Sequence, residues 1–238
     1  MQKLLGKFRK CVNDFKLIDD GDNICIGVSG GKDSLTLLSL LKAYKRFSPE
    51  KFNLIAVTLD TGGGCNFQNV VKLCEKIDVP YHIIKTDINE IVFNIRKEKN
   101  PCSLCSKLRH GSLNDNAKIL GCNKVALGHN ENDAIETLLM SMLYEGRVHC
   151  FAPKTYLSRM DITLIRPMLY INEEEIKSLA ARYELPIVKN PCPANGYTKR
   201  EYMKNLIKDL ERDIPSVKDR LLGCLTNEKQ LSIWHKEK

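Results

Sequence analysis

The residues with the clearest chemical potential are Ser29-Gly30-Gly31-Lys32-Asp33-Ser34, which follow a short apolar run and precede a longer one. A strand that turns on two glycines into a helix lets several backbone N–H groups converge on one anion, and the helix N-terminus adds its partial positive charge. Gly30 and Gly31 permit positive φ and a close approach of oxygen atoms. Ser29 and Ser34 add hydroxyl donors and Lys32 adds a cation. Two further groups fall at the ends of apolar runs: Asp60, followed by Thr61-Gly62-Gly63-Gly64, and Gly128-His129-Asn130-Glu131-Asn132-Asp133. In an open α/β sheet, ligands bind beyond the carboxyl ends of the strands, so these groups and the glycine loop are expected to share one site.

The glycine loop is not a Walker A loop, which needs four residues between its first Gly and its Gly-Lys-Ser/Thr, nor a G-x-G-x-x-G fingerprint. Taken alone, Asp60 reads equally as a turn residue and His129 as a structural histidine. Beside the glycine loop, Asp60 is expected to contact ATP or Mg²⁺ and His129 to orient the nucleotide or substrate. A fourth group, Pro101-Cys102-Ser103-Leu104-Cys105, places two thiols at the start of a helix, where thiolates are favoured. A closed zinc site needs four ligands, and neither a second C-x-x-C nor a His pair is present. Cys192, in the loop Asn190-Pro191-Cys192-Pro193, is the other cysteine in a comparable Pro-flanked setting. Three thiolates suit an iron–sulfur cubane with one iron left open. A redox dithiol and an adventitious pair remain as alternatives.

The elements needed to hold these groups follow from hydrophobic period. Buried strands are predicted over residues 23–28, 53–59, 81–85, 124–127 and 162–165. Helices are predicted over residues 35–47, 67–77, 88–97, 103–120 and 131–144, with capping boxes at Asn172/Glu175 and Thr198/Glu201 opening two more. Short, nearly continuous apolar strands alternating with helices imply an α/β fold: a Rossmann-like parallel sheet with helices on both faces, plus a small helical C-terminal region. The expected organisation is an N-terminal helix over residues 1–20, the nucleotide domain over 21–168 and a mostly helical region over 169–238. The first helix carries Leu4, Leu5, Phe8, Val12 and Phe15 at helical spacing with Lys7, Arg9 and Lys10 between them, which fits a packed amphipathic helix better than a signal peptide.

The 238 residues contain 37 Lys/Arg and 29 Asp/Glu, a formal charge of +8 that favours polyanionic partners, nucleic acid above all. From Lys189 onward eleven Lys/Arg stand against seven Asp/Glu, and Lys199, Arg200 and Lys204 together would follow phosphates, although each taken singly reads as a solvated charge. No apolar stretch approaches the roughly 20 residues that span a bilayer. Ten cysteines without a secretory signal point to a reducing, cytoplasmic setting. Cys11, Cys25, Cys74, Cys122, Cys150 and Cys224 read as inert thiols, while Cys65, in the Gly-rich loop, is harder to dismiss.

In combination, these motifs carry a family resemblance. S-G-G-K-D-S resembles the PP-loop of the adenine-nucleotide α-hydrolases, which split ATP between its α and β phosphates. The order of that loop, P-C-S-L-C-S-K-L-R, G-H-N-E-N-D and a late N-P-C-P loop resembles the TtcA-type tRNA 2-thiocytidine synthetases from about Gly21 to Leu222. The related TtuA branch carries zinc-binding C-x-x-C pairs at both ends of the chain, which are absent here. The resemblance implies ATP and Mg²⁺, a [4Fe-4S] cluster on Cys102, Cys105 and Cys192, and thiolation of an anticodon-loop base, cytidine 32. ATP adenylates the base carbonyl and sulfur replaces the oxygen. It further implies that Ser29–Ser34, Asp60, Gly128 and His129 bind ATP, that Lys32, Arg109 and Asp133 act in catalysis, and that tRNA and a sulfur donor (a cysteine desulfurase or free sulfide) are partners. A homodimer is compatible with it. The family pattern G-H-x-x-D-D has Asn132 in place of its first Asp, which leaves the acidic role to Asp133. Thiolation of a uridine, another PP-loop reaction, and an iron–sulfur nucleotide-binding redox sensor are the competing readings.

Overall fold

The computed structural model describes residues 1–97, 101–189, 199–227 and 229. In chain order it forms α1 (Gln2–Asp14), β1 (Asn23–Gly27), α2 (Lys32–Lys45), β2 (Asn53–Asp60), α3 (Gln68–Lys76), β3 (Tyr81–Lys85), a π-helical segment (Glu90–Ile95) and α4 (Pro101–Ile119). Then follow β4 (Lys124–Ala126), α5 (Glu131–Glu145), β5 (Lys154–Leu157), β6 (Ile162–Ile165), α6 (Glu173–Arg182), α7 (Lys199–Asp213) and α8 (Val217–Thr226). The chain divides into two compact units. The first comprises Met1–Asn130 and Ala152–Asn195; the second comprises Glu131–Phe151 and Gly196–Lys238.

The first unit is built on a six-stranded sheet in the order β3-β2-β1-β4-β6-β5. All neighbours are parallel except β5 and β6. Ile24, Cys25 and Ile26 of the central strand are completely buried, as expected when helices cover both faces. Cys25 packs with Leu113 and Ala117 of α4. A Cβ on Gly27, two residues on and therefore on the same face, would lie 2.8 Å from Leu113 Cδ2. The glycine thus sets how closely α4 approaches β1. Helix α2 also packs on β1, and its buried Leu35, Leu37, Leu38, Leu40 and Leu41 run around its circumference. A helix apolar on all sides needs a second layer, which α1 and α6 provide. The stripe on α1 is buried as expected, through Leu4, Phe8, Cys11 and Val12, with Phe8 against Tyr44 of α2 at 5.6 Å between ring centroids.

Two features depart from the expected elements. The helix predicted over residues 88–97 is present as a shorter segment, Glu90–Ile95, wound as a π-helix. The sheet also has an antiparallel edge strand, β5, where no strand is predicted. Its four residues, Lys-Thr-Tyr-Leu, offer too little apolar period to be recognised, and what makes them a strand is pairing with β6, from Lys154↔Ile165 to Leu157↔Ile162. The box at Asn172 forms as predicted: Asn172 Oδ1 accepts from Glu175 N (2.9 Å) and Glu175 Oε2 accepts from Asn172 N (3.2 Å). The box predicted at Thr198 lies outside the described residues.

The second unit is helical in its described residues. Its core joins Ile135 and Leu139 of α5 to Met203 and Ile207 of α7. Among the described residues of the chain, no helix is long and apolar enough to cross a membrane.

Candidate active site

The sheet order places β1 between β2 and β4, so the chain leaves β1 towards one side and β4 towards the other. This is the switch point at which open α/β sheets bind ligands. The Ser29–Ser34 loop leaves β1 here, and Gly128-His129-Asn130 leaves β4. Val28 N donates to Val57 O (2.8 Å), extending the ladder one residue past β1. Gly30 then turns with φ +80°, and α2 begins after Gly31, an N-cap whose position receives no side-chain capping bond. A helix start without a side-chain cap presents its first N–H groups to an incoming anion. The loop is braced from within. Ser34 Oγ accepts from Ser29 N (3.1 Å) and donates to Gly31 O (3.0 Å), and Ser29 Oγ accepts from Gly31 N (3.3 Å).

Lys32 Nζ pairs with Asp33 Oδ2 (2.9 Å) and with Glu173 Oε1 at the first turn of α6 (3.0 Å). Burial pulls its pKa down, but the two carboxylates outweigh burial and raise it overall. Asp33 Oδ1 accepts from Asn130 Nδ2 (3.0 Å). A Cβ on Gly128 would stand 3.2 Å from both Asp33 C and Ser34 N, so a glycine here lets the end of β4 lie directly against the start of α2. His129 follows, its Nδ1 accepting from Arg166 Nε (3.3 Å). The structure therefore brings the glycine loop and the Gly128–Asn130 segment together, and adds Glu173 and Arg166, which lie outside the sequence motifs.

Asp60 ends β2, beside β1, and its Oδ1 accepts from Gly62 N (3.1 Å), closing the turn into the glycine-rich loop. Gly63, Gly64, Cys65, Asn66 and Asn69 form one wall of a cleft of about 370 Å³ whose other wall is Pro186–Lys189. That second wall is tied to the Ser29–Ser34 loop. Val188 N donates to Gly30 O (2.9 Å), and a Cβ on Gly30 would stand 2.9 Å from Val188 Cβ. Cys65 Sγ approaches Lys189 O at 3.8 Å.

Cys102 is exposed and Cys105 half-buried in the first turn of α4. Three residues apart on a helix, they lie on one side, an arrangement that fits two cysteine ligands of a cluster or half of a zinc site. Cys192 lies outside the described residues. Among those described, no group of three or more His, Cys, Asp or Glu could hold a metal ion. Arg109 lies one turn beyond Cys105 on α4. The remaining thiols differ in setting. Burial pushes Cys11 up to about 12 and Cys74 up to about 11, which keeps them protonated and unreactive.

Asp133 belongs to the second unit, on the first turn of α5. Arg200, near the start of α7, donates to Asp133 Oδ1 (3.2 Å), Glu136 Oε2 (3.1 Å) and Thr137 Oγ1 (3.3 Å). The Glu136 side chain is only 1% exposed. Burial pushes its carboxyl up to about 7, with Asp133 adding to the rise and Arg200 and Lys204 opposing it. Lys199 Nζ lies 4.4 Å from the Tyr144 ring centroid. By sequence count the second unit holds eleven Lys/Arg and eleven Asp/Glu, so the whole excess of +8 resides in the first unit.

A mostly parallel sheet with an S-G-G-K-D-S loop at its switch point defines a PP-loop nucleotide-binding protein. The family described as ATP_bind_3, PP-loop domain, matches residues 2–210. The chain belongs to this family, alongside its tRNA-cytidine(32) 2-sulfurtransferases. It is 40% identical over 222 residues to the tRNA-cytidine(32) 2-sulfurtransferase of Pelobacter propionicus, covering 92% of this chain and 82% of the relative. With the enzyme of that name from Geobacter sulfurreducens it shares 38% over 233 residues, covering 95% and 90%. Among solved structures, it resembles the U34-tRNA thiolase NcsA from Methanococcus maripaludis, which was solved with its [4Fe-4S] cluster. The TM-score is 0.75 and the identity 26%, over 95% of this chain and 79% of that one.

Proposed function

We propose that this chain is an ATP-dependent tRNA sulfurtransferase that replaces the 2-oxygen of cytidine 32 in the anticodon loop with sulfur. The observation that carries the reading is the Ser29–Ser34 loop seated against Gly128 at the switch point, in a chain 40% identical to an enzyme of that name.

In this reading the base carbonyl oxygen attacks the α-phosphorus of ATP. An O–P bond forms, the α–β bridge breaks and pyrophosphate leaves. Ser29, Gly30, Gly31, Lys32, Asp33 and Ser34 hold the leaving pyrophosphate through the start of α2, and Lys32 turns from Glu173 towards the new anion. Asp60, Gly128 and His129 flank the nucleotide. Asp133 serves as the Mg²⁺ contact or acid–base group, and Arg109 steadies negative charge near the thiols. Lys199, Arg200 and Lys204 are the candidates for RNA contact, and an unpaired anticodon base can be splayed into such a site.

Cys102, Cys105 and Cys192 would hold a [4Fe-4S] cluster, whose chemistry is to supply sulfide as the nucleophile at an iron left open by the protein. A nucleophilic sulfur attacks the activated carbon, and AMP departs with the former carbonyl oxygen. The sulfur comes from a cysteine desulfurase or free sulfide, and the reaction takes place in the cytoplasm.

The test is mass spectrometry of tRNA nucleosides from cells lacking the chain. Loss of 2-thiocytidine, restored by the intact chain but not by Lys32→Ala, is expected; unchanged 2-thiocytidine refutes the reading. A uridine target is the second reading, favoured by the likeness to a U34-tRNA thiolase, and the same spectra would show it as loss of 2-thiouridine instead.

A further inference from the structure

Glu173 reaches the Ser29–Ser34 loop from outside it. It is the first residue of α6, and α6 packs on α2, so a carboxylate distant in sequence stands beside the start of α2. Three acidic residues open α6, and they divide the work. Glu175 closes the capping box with Asn172 and pairs with Lys7 (2.7 Å) and Lys3 (3.6 Å). Glu174 is exposed. Glu173 takes no part in the box, and its side chain is 15% exposed. Its Oε1 lies 3.0 Å from Lys32 Nζ, and its Oε2 lies 3.5 Å from Lys177 Nζ, one turn along α6.

Lys32 is the cation of the loop, and its ammonium stands between two acids that are differently mounted. Asp33 is the next residue of the same helix, 2.9 Å away, and its other oxygen accepts from Asn130 (3.0 Å). Glu173 sits on a separate helix. A lysine ammonium is a compact point charge on a flexible stem. A phosphate arriving at the start of α2 offers it several anionic oxygens in charge-assisted hydrogen bonds. Lys32 can therefore turn to Glu173 or to an anion in the loop, and each contact is made at the expense of the other. Lys177 stays beside Glu173 as a counter-ion when Lys32 turns away, so the exchange does not strand a half-buried carboxylate.

We propose that Glu173 is a positioning residue that competes with bound pyrophosphate for Lys32, loosening the loop's hold on this product and drawing Lys32 back as it departs. A loop that grips pyrophosphate too tightly stays blocked after the transfer, and product release limits the turnover of many enzymes. A carboxylate that reclaims the ammonium weakens that grip without removing the cation. The role deepens the PP-loop reading above and rests on it.

The test is titration of the full chain with inorganic pyrophosphate and Mg²⁺, without tRNA, followed by ³¹P NMR, which also reads weak binding. Glu173→Gln removes the charge, keeps the size and leaves the capping box intact. It should tighten pyrophosphate binding roughly fivefold, the upper range for the loss of a competing ion pair that is not fully buried. Glu173→Ala should tighten it likewise, so a fold lost in one variant leaves the other to decide. Lys32→Met should weaken binding. In that background Glu173→Gln should change affinity no more than Glu174→Gln does in the native chain. Weaker or unchanged binding in the Glu173 variants overturns the proposal, since a brace for Lys32 or a Mg²⁺ ligand would give loss. Tightening of equal size in the Lys32→Met background also overturns it, because the effect would then be plain repulsion between Glu173 and the anion. A native chain that binds no pyrophosphate refutes the PP-loop reading and the proposal with it, whereas a wrong target base leaves all of these results unchanged.

Discussion

The ion cluster on α5 sets a stability test with a worked sign. Glu136 is pushed from 4.5 up to about 7 by burial. For this carboxyl the folded state binds the proton more tightly than the unfolded chain. Its contribution is therefore fully present below about pH 4.5 and is lost as pH rises through 7. At about 1.36 kcal/mol per pKa unit, the loss totals roughly 3 kcal/mol. Arg200 opposes the shift through the contact at 3.1 Å. Arg200→Met should consequently cost little at about pH 5, where Glu136 is protonated, and about 2 to 3 kcal/mol more at about pH 8, where the buried carboxylate loses its charged donor. Glu136→Gln in the native background should flatten the decline in stability from about pH 5 to about pH 8. Urea denaturation followed by circular dichroism at the two pH values measures both effects. An Arg200→Met loss that is the same at both, or a slope that survives Glu136→Gln, refutes the reasoning.

Three further outcomes are expected. Gly30→Ala forces a side chain into φ +80°, a cost of roughly 1 to 2 kcal/mol, and sets its Cβ 2.9 Å from Val188; thermal melting should drop and ATP-dependent AMP release should weaken, and an unchanged ATP affinity would deny the loop its role. Lys124, with a side chain 4% exposed, lies 2.6 Å from the equally buried Asp22, so Lys124→Met should cost about 3 to 5 kcal/mol, with Asp22→Asn recovering much of it; urea unfolding of the single and double variants reads this directly. Cys102→Ser and Cys105→Ser, purified without oxygen, should each lose most bound iron and sulfide, whereas Cys224→Ser should not; retained iron in the first two would remove the α4 thiols from the site.

What was legible in the sequence was local. The buried run at residues 23–28 followed by Ser29–Ser34 announced both a central strand and a glycine turn into a helix, because continuous apolar residues and paired glycines act over a few positions. The Asn172 capping box was readable for the same reason. The partners of those motifs were not readable. Glu173 reaches Lys32 only because α2 is apolar on all sides and draws α6 onto it, and Arg166 reaches His129 only because β6 pairs with β4. Arg166 did carry one signal, a charge placed directly after a buried strand and before a proline. Arg200 illustrates the converse: its charge and setting suggested phosphate contact, while its position against Asp133 and Glu136 depends on how α7 packs against α5.

The sheet order also bears on how the chain is made. Its central strand pairs with β2 about thirty residues on, in the register Ile24↔Leu54, but with β4 about a hundred residues on, at Ile24↔Lys124. Contacts so distant in sequence form late, because the loop entropy must be overcome first. During synthesis, the half-sheet β1-β2-β3 can assemble with one flank of β1 open and Asp22 awaiting the ammonium of Lys124. Until β4 and β6 emerge, that flank is an unpaired apolar edge of the kind that aggregates, and the arrival of Lys124 both closes it and neutralises the buried acid. The candidate site, assembled from the two sides of the same seam, comes into being only when the nascent chain passes this checkpoint.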